Sequence, residues 1–217
     1  LWAVPAGLIG LLAMFLLYRG LAIGTMGVLA PIAATGVILP VVWGILCGDT
    51  VSFFQMLGIG IAVFGTVLAA MEKGSYPHTR NLTRGVGYAV SAAFFIGLYF
   101  IFMDNAAENN PVWAAMIMRS FTLVFLLPAL FVSKNPVHIS RDHIPILLVM
   151  GIADSLASFS FTLATSKGML SEVAVISSLY PAVVAVLSAV VVKERMQRVQ
   201  SFGVIFAITG VVLISAF

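Results

Sequence analysis

The sequence predicts an all-α membrane protein: a polytopic helical bundle of eight transmembrane helices, arranged as inverted five-helix repeats with the first two helices missing. Three observations support this. The 217 residues are 61% hydrophobic and only 9% charged, whereas soluble domains carry about 25% charged residues. Eight apolar runs are each long enough to span a bilayer, which takes about 20 residues. Finally, one pattern of 20 residues occurs twice in the chain.

The eight apolar runs are separated by short polar or glycine-rich stretches. All of these connections are short, so the sequence offers no soluble domain between the helices. The predicted spans cover residues 1–22, 26–47, 51–71, 84–103, 111–132, 143–166, 170–192 and 197–217.

The repeated pattern lies in the third and eighth spans. Residues 49–68 read DTVSFFQMLGIGIAVFGTVL, and residues 194–213 read ERMQRVQSFGVIFAITGVVL. An acidic residue opens each copy, and a glutamine and two glycines follow at matching positions. Because an odd number of crossings separates the third span from the eighth, the copies must run in opposite directions. Inverted repeats are typical of secondary transporters, with the substrate site near the midplane between the halves.

The repeat also predicts the domain organisation. A five-helix unit that ends at the eighth span begins at the fourth, so residues 84–217 form a complete second repeat. Residues 72–83 are the connecting loop. The first repeat then ends at the third span, and residues 1–71 hold only its last three helices. Two further helices are therefore expected before the first span, in a parent bundle of ten.

Basic side chains are concentrated on one side of the predicted bundle. Loops on the other side carry Lys167 together with Asp49, Asp104 and Glu108. Because positively charged loops stay in the cytoplasm, the basic side is expected to be cytoplasmic, with both chain ends outside. The basic loop residues are Lys73, Arg80, Arg84, Lys134, Arg141, Lys193, Arg195 and Arg198.

The composition argues against several functional classes. The single cysteine, Cys47, cannot form an internal disulfide, and no residue spacing indicates a metal site or a cofactor. The net charge of +3 suits an anionic membrane surface, and the basic residues form no long run that would indicate nucleic acid. The three histidines lie in predicted loops without catalytic partners, so we expect no enzyme.

Two ionisable residues lie well inside predicted spans, where a charge at the centre costs about 3 kcal/mol or more. Asp154 lies near the middle of the sixth span, and Arg119 lies in the fifth. A long arginine side chain can bridge the difference in depth between them. A binding site and a purely structural ion pair both fit this spacing.

Other polar residues extend the candidate site. Ser158 and Thr162 follow Asp154 at helical spacing and are expected to line a cavity, since a polar stripe that faces lipid is costly. Tyr99 belongs to an aromatic stripe on the fourth span, which fits a cavity wall and core packing equally. A proline follows Tyr180 and could free a backbone carbonyl for substrate or simply kink the helix. The predicted substrate-binding residues are Asp154, Arg119, Ser158, Thr162, Tyr99 and Tyr180.

Several short motifs follow one another in a characteristic order. They are Arg84-Gly85, Gly97-Leu98-Tyr99, Ser178-Leu179-Tyr180-Pro181, Lys193-Glu194-Arg195, and Gly203 with Gly210. In this order they resemble the drug/metabolite transporter superfamily, in particular its ten-helix EamA-type members. The resemblance implies two five-helix bundles around a central cavity, in a multi-pass carrier of the bacterial inner (plasma) membrane. It also implies cytoplasmic termini, opposite to the charge count, so the orientation stays open.

We therefore expect a secondary transporter that moves a small metabolite, such as an amino acid or a drug-like compound, by alternating access. Asp154 would bind substrate or a proton, so that transport is coupled to a proton gradient or proceeds by exchange without protons. A non-transporting membrane scaffold or sensor is the alternative, and a polytopic membrane enzyme is a further one. The expected partners are a small-molecule substrate and the lipid bilayer, and a monomer and a homodimer both fit.

Overall fold

The computed structural model describes residues 2–23, 26–71, 82–108, 110–132, 144–187, 189–190 and 197–216. Within these residues the regular structure is helical, without strands. The helices are α1 (Ala3–Ile23), α2 (Met26–Ala34), α3 (Ile38–Cys47), α4 (Phe53–Ala69), α5 (Leu82–Ala107), α6 (Pro111–Val132), α7 (Ile144–Thr165), α8 (Leu170–Ser177), α9 (Tyr180–Leu187) and α10 (Arg198–Ala216).

The helices form eight apolar segments in the described part of the chain. Seven of these segments are long and apolar enough to cross a membrane, and α4 is a shorter apolar helix. Two of the seven consist of consecutive helices, α2 with α3 and α8 with α9. The segments follow the order of the predicted spans, which confirms the prediction of a polytopic α-helical membrane protein.

Both two-part segments break one turn before a proline. A proline has no N–H to donate to the carbonyl four residues earlier, and its ring clashes with that carbonyl. In the first segment, a 3₁₀ turn at Thr35–Val37 separates α2 from α3 and precedes Pro40. In the second, α8 ends at Ser177, four residues before Pro181. The two prolines do not align in the repeat, yet the same helix of each half is interrupted.

The two copies of the repeat pack against each other as α4 and α10. A Cβ atom added to Gly58 would lie 2.9 Å from the carbonyl oxygen of Gly210, and one added to Gly203 would touch the backbone nitrogen of Ala69. The start of α4 therefore packs against the end of α10, and the end of α4 packs against the start of α10. The copies run antiparallel, as the number of crossings predicted. Glycines at this seam allow close backbone contact between the helices.

The helix α5 ends later than the sequence predicted. The predicted fourth span stopped at residue 103, with Asp104 and Glu108 in a loop, but α5 continues to Ala107 and includes Asp104. The side-chain amide of Asn105 donates to the carbonyl of Ile101 (2.8 Å) within the helix. Asn110 then caps the next helix, α6. The loop position predicted for Asp104 was therefore wrong.

Much of the predicted basic side lies outside the described residues. Arg84 lies in α5 and Arg198 begins α10. The other basic loop residues and the three histidines lie outside the described ranges. They are Lys73, Arg80, Lys134, Arg141, Lys193 and Arg195, together with His78, His138 and His143. The predicted orientation in the membrane therefore stays a prediction.

A capping box begins α4, and one of its bonds is also present at the start of α10. The hydroxyl of Ser52 accepts from the Gln55 backbone N–H (3.2 Å), and the Gln55 side chain accepts from the Ser52 N–H (2.8 Å). The repeat equivalents in α10 retain the second bond, from the Gln197 N–H to the Gln200 side chain (3.0 Å). The repeat therefore extends to the way each helix begins.

We expect Ser52→Ala to lower the free energy of unfolding by about 1 kcal/mol, because a first-turn N–H then loses its acceptor. Thermal unfolding in detergent would measure the change. Ser120→Ala is the matched control, since the Ser120 hydroxyl donates to the Met116 carbonyl within α6 and caps no helix. Equal melting temperatures for Ser52→Ala and the unmodified chain would contradict the prediction.

Candidate functional site

An ion pair joins α6 to α7 inside two membrane-length helices. Nη1 of Arg119 lies 2.7 Å from Oδ2 of Asp154. Nη2 of the same guanidinium donates to the Asp154 backbone carbonyl (2.7 Å) and to the Ser158 hydroxyl (2.5 Å). Arg119 is thereby fixed to a single turn of α7. The pairing expected from the sequence is present, while its role in binding stays a prediction.

The start of α6 determines how deep Arg119 lies. The Asn110 side chain accepts from the backbone N–H groups of Val112 (3.0 Å) and Trp113 (3.1 Å), and Pro111 occupies the first position of the helix. This is a favourable N-terminus, since proline needs no partner for a missing N–H there. Arg119 then lies about 12 Å along the helix axis, at 1.5 Å per residue.

The two members of the ion pair differ in exposure. The Asp154 side chain is 62% exposed, whereas that of Arg119 is 30% exposed. Nε of Arg119 is buried and has no hydrogen-bond partner among the described residues. The carboxylate is therefore the accessible end of the pair. A carboxylate in this position can bind a cation, an amine or a proton.

Tyr99 of α5 completes the cluster. Its hydroxyl lies beside the Ser158 hydroxyl and close enough to Arg119 and Asp154 to interact with both charges. The ring lies against α1, where a Cβ atom added to Gly10 would come within 3.1 Å of it. Three helices, α5, α6 and α7, thus contribute polar groups to one place.

Thr162 and Tyr180 take different positions. Thr162 is fully buried, and its hydroxyl lies near the carbonyls of Ser158 (3.1 Å) and Phe159 (2.9 Å), so its own helix satisfies it. Tyr180 begins α9 and is 49% exposed. Among the described residues, the contacts of the ion pair do not include Tyr180. The structure therefore brings together Arg119, Asp154, Ser158 and Tyr99, with Thr162 one turn away and Tyr180 apart.

A second polar cluster was not expected from the sequence. Oδ2 of Asp49 accepts from the backbone N–H (3.0 Å) and the hydroxyl (2.6 Å) of Ser171, and the Gln55 amide donates to Glu172 (2.7 Å). The sequence placed Asp49 in a predicted loop, as the acid that opens the first repeat, and predicted no partner for it in the second half. The acid that opens the first repeat was a signal for this cluster, but its partner lies 122 positions away.

Groups of three or more metal-ligating side chains with suitable geometry are absent from the part of the chain that the structure describes. Cys47 is a free, exposed cysteine at the end of α3. The ion-pair cluster itself consists of one carboxylate, one guanidinium and two hydroxyl groups.

Comparisons with known proteins agree with the fold and the composition. Residues 83–216 match the EamA-like transporter family. The uncharacterized protein MJ1333.1 of Methanocaldococcus jannaschii is 25% identical over 123 residues, which cover 57% of this chain and 90% of that protein. A crystal structure of a protein whose name specifies no activity matches with a TM-score of 0.80 at 15% identity, over 97% of this chain and 76% of that one. Since the family match spans more than half of the sequence, this chain belongs to the EamA-like transporter family, within the drug/metabolite transporter superfamily.

Proposed function

We propose that the protein is a secondary transporter that binds a small metabolite at the Arg119–Asp154 cluster and carries it across the membrane by alternating access. Membership of a transporter family supports the general role. The observation that carries the site is an ion pair inside two apolar spans, in which Arg119 lies 2.7 Å from the Asp154 carboxylate and also donates to Ser158 on the next turn of α7. A carboxylate exposed to lipid at this depth would be costly, so we expect Asp154 to face a polar cavity.

The charges of the cluster favour a substrate with both an amine and an acid, such as an amino acid. Asp154 would bind the amine of the substrate. Arg119 would bind the acid group of the substrate once its bond to the Asp154 carboxylate is broken. Protonation of Asp154 would release Arg119 in the same way, which couples transport to a proton gradient. A non-transporting scaffold or sensor has no need of charged residues inside its spans, and this observation favours the transporter.

We also propose that residues 1–71 and 84–217 belong to two inverted repeats linked by residues 72–83, and that two more helices complete the first. A difference in burial between two equivalent helices, α1 and α7, supports this. The copies are 145 positions apart, so Ala6 of α1 corresponds to Gly151 of α7. Ala6 is fully buried against α5 and α6, whereas Gly151 is exposed and a Cβ atom there meets no described atom within 4 Å. Two helices over α7 would give it the environment that α1 has.

Replacing Asp154 with asparagine tests the site. The purified protein is placed in liposomes loaded with a water-soluble metabolite extract, and mass spectrometry identifies the compounds that leave. We expect Asp154→Asn to slow their release by about tenfold or more, because a charge-assisted bond to the ligand is lost.

The matched control is Ser155→Ala, whose hydroxyl donates to the Gly151 carbonyl of its own helix (2.8 Å). This control should transport at the rate of the unmodified protein. If Asp154→Asn inserts normally and transports at that rate as well, the proposed site is wrong.

A further inference from the structure

The second polar cluster connects the two halves of the molecule at one end of the bundle. We call this end the short-turn face, because it carries the turns at residues 48–52 and 166–169 and the short link from α5 to α6. Asp49 and Gln55 belong to the first half, and Ser171 and Glu172 belong to α8 of the second. The latch, as we name it, consists of the two bonds from Ser171 to Asp49 and the bond from Gln55 to Glu172.

The local backbone is built for this contact. Gly48 ends α3 with φ of 114°, a left-handed conformation that favours glycine, and the Asp49 N–H donates to the Gly44 carbonyl (2.9 Å). A Cβ atom on Gly44 would touch Oδ2 of Asp49 and lie 3.1 Å from the Ser171 nitrogen. Glycine at position 44 therefore lets α3 approach the start of α8. Asp49 then accepts from a first-turn N–H of α8, the role an N-cap residue usually has.

The two side chains that α8 supplies to the latch do not recur at the equivalent positions of the repeat. The spacing of 145 relates Asp49 to Glu194 and Gln55 to Gln200, so the acid and the glutamine recur. It relates Ser171 to Met26 and Glu172 to Gly27. Methionine has no hydroxyl to donate and glycine has no carboxylate to accept, so the side-chain bonds of the latch cannot form there. Glu194 lies outside the described residues, and this comparison uses its identity alone.

We propose that the latch biases this transporter towards the state in which the short-turn face is closed. The inference rests on the proposed alternating access. Halves related by an inverted repeat exchange conformations as access changes sides, so identical repeats would give two equivalent states. Donor and acceptor side chains that are present at one face and replaced at the equivalent positions of the other stabilise one state and shift the population towards it. The latch must break whenever substrate passes that face.

Cysteine accessibility tests the bias without any substrate. Thr162 is fully buried in α7, between the ion-pair cluster and the short-turn face. In a Cys47→Ser background, Thr162→Cys should react slowly with a membrane-impermeant maleimide added from the short-turn side. Adding Ser171→Ala and Gln55→Leu should raise that rate by about tenfold, because charge-assisted bonds that hold the face closed are lost. An unchanged rate in folded protein would overturn the proposal.

Two control variants distinguish the loss of the latch bonds from a general loss of packing at this face. Ser166→Ala lies on the same face, and the Ser166 hydroxyl donates to the Leu163 carbonyl of its own helix (2.9 Å), so the rate should stay low. Glu172→Gln keeps an acceptor for the Gln55 amide and should largely preserve the low rate. Similar acceleration in Ser166→Ala would contradict a role for the inter-half bonds. Gel filtration of each variant establishes that it is folded.

A disulfide across the latch tests whether it must open. Asp49→Cys with Ser171→Cys, again with Cys47→Ser, should cross-link on oxidation and stop transport, and reduction should restore it. The control pair is Phe64→Cys with Phe206→Cys, treated with a short bis-maleimide. These rings lie 6.0 Å apart on the α4–α10 seam, and bridging them should leave transport unchanged.

The outcomes distinguish this inference from the proposed function. Reduced protein that transports no compound of the extract contradicts the proposed function. Oxidised, cross-linked protein that transports as fast as the reduced form overturns the latch while the proposed function stands. A folded pair variant that forms no disulfide also overturns the latch.

Discussion

Replacing Gly65 with valine is expected to prevent stable folding of the bundle. A Cβ atom at this position would touch the backbone nitrogen of Ala207, and it would lie 2.7 Å from the Gly203 carbonyl oxygen and 2.8 Å from the Phe206 carbonyl carbon. These neighbours are backbone atoms, which cannot turn aside as a flexible side chain can. The two repeat helices would have to separate along the seam where the halves meet.

The membrane increases the cost of that separation. In lipid no hydrophobic effect draws helices together, so association depends on close packing between them. Overpacking a core costs about 1–3 kcal/mol even where side chains can shift. Because the neighbours of Gly65 are backbone, we expect a loss at or above the upper end of that range. Thermal unfolding in detergent and the yield of monodisperse protein would measure it.

Gly60 provides the matched control on the same helix. A Cβ atom there meets no described atom within 4 Å, because Gly60 lines an apolar groove of about 460 Å³ between phenylalanine side chains of α4 and α10. Gly60→Val should therefore fold like the unmodified chain. The same melting temperature for Gly65→Val and Gly60→Val would show that the seam is not close-packed.

The fold was largely predictable because it follows from local sequence patterns and from counting the membrane crossings. A span is recognised from length and apolar composition, both readable along the chain, and the opposite directions of the repeat copies follow from the number of crossings. The end of α5 was not predictable in this way. A charged residue such as Asp104 can belong to the last turn of a membrane helix, so a charge at the end of an apolar run does not by itself mark where the helix ends.

The candidate site could be predicted from the sequence only because charged residues are rare inside membrane spans. Asp154 and Arg119 stand out inside apolar spans, and their depths match. That Ser158 accepts from Arg119, or that Ser171 binds Asp49, depends on tertiary contacts between distant positions, and no local pattern contains them. Tyr180 was expected in the site from its neighbouring proline, but the side-chain direction depends on how α9 continues after the break.

Replacing both members of the ion pair is expected to preserve the fold and abolish transport. The double variant is Arg119→Met with Asp154→Leu. An apolar pair of similar volume is often neutral or stabilising where it replaces a buried ion pair, because neither charge then needs desolvation. Removing one partner alone leaves the other charge uncompensated, at a cost of about 3–5 kcal/mol for a fully buried pair. Asp154 is 62% exposed, so Arg119→Met alone should cost less than that.

Comparing the single and double variants separates a structural pair from a binding site. In either case the double variant should melt at a higher temperature than Arg119→Met alone, since it contains no unpaired carboxylate. Transport distinguishes the two roles, measured as release of metabolites from loaded liposomes. A structural pair predicts that the double variant transports at the unmodified rate once its fold is restored. A binding site predicts that transport falls to the rate of empty liposomes although the protein is folded, because methionine and leucine offer a metabolite neither charge nor hydrogen bond.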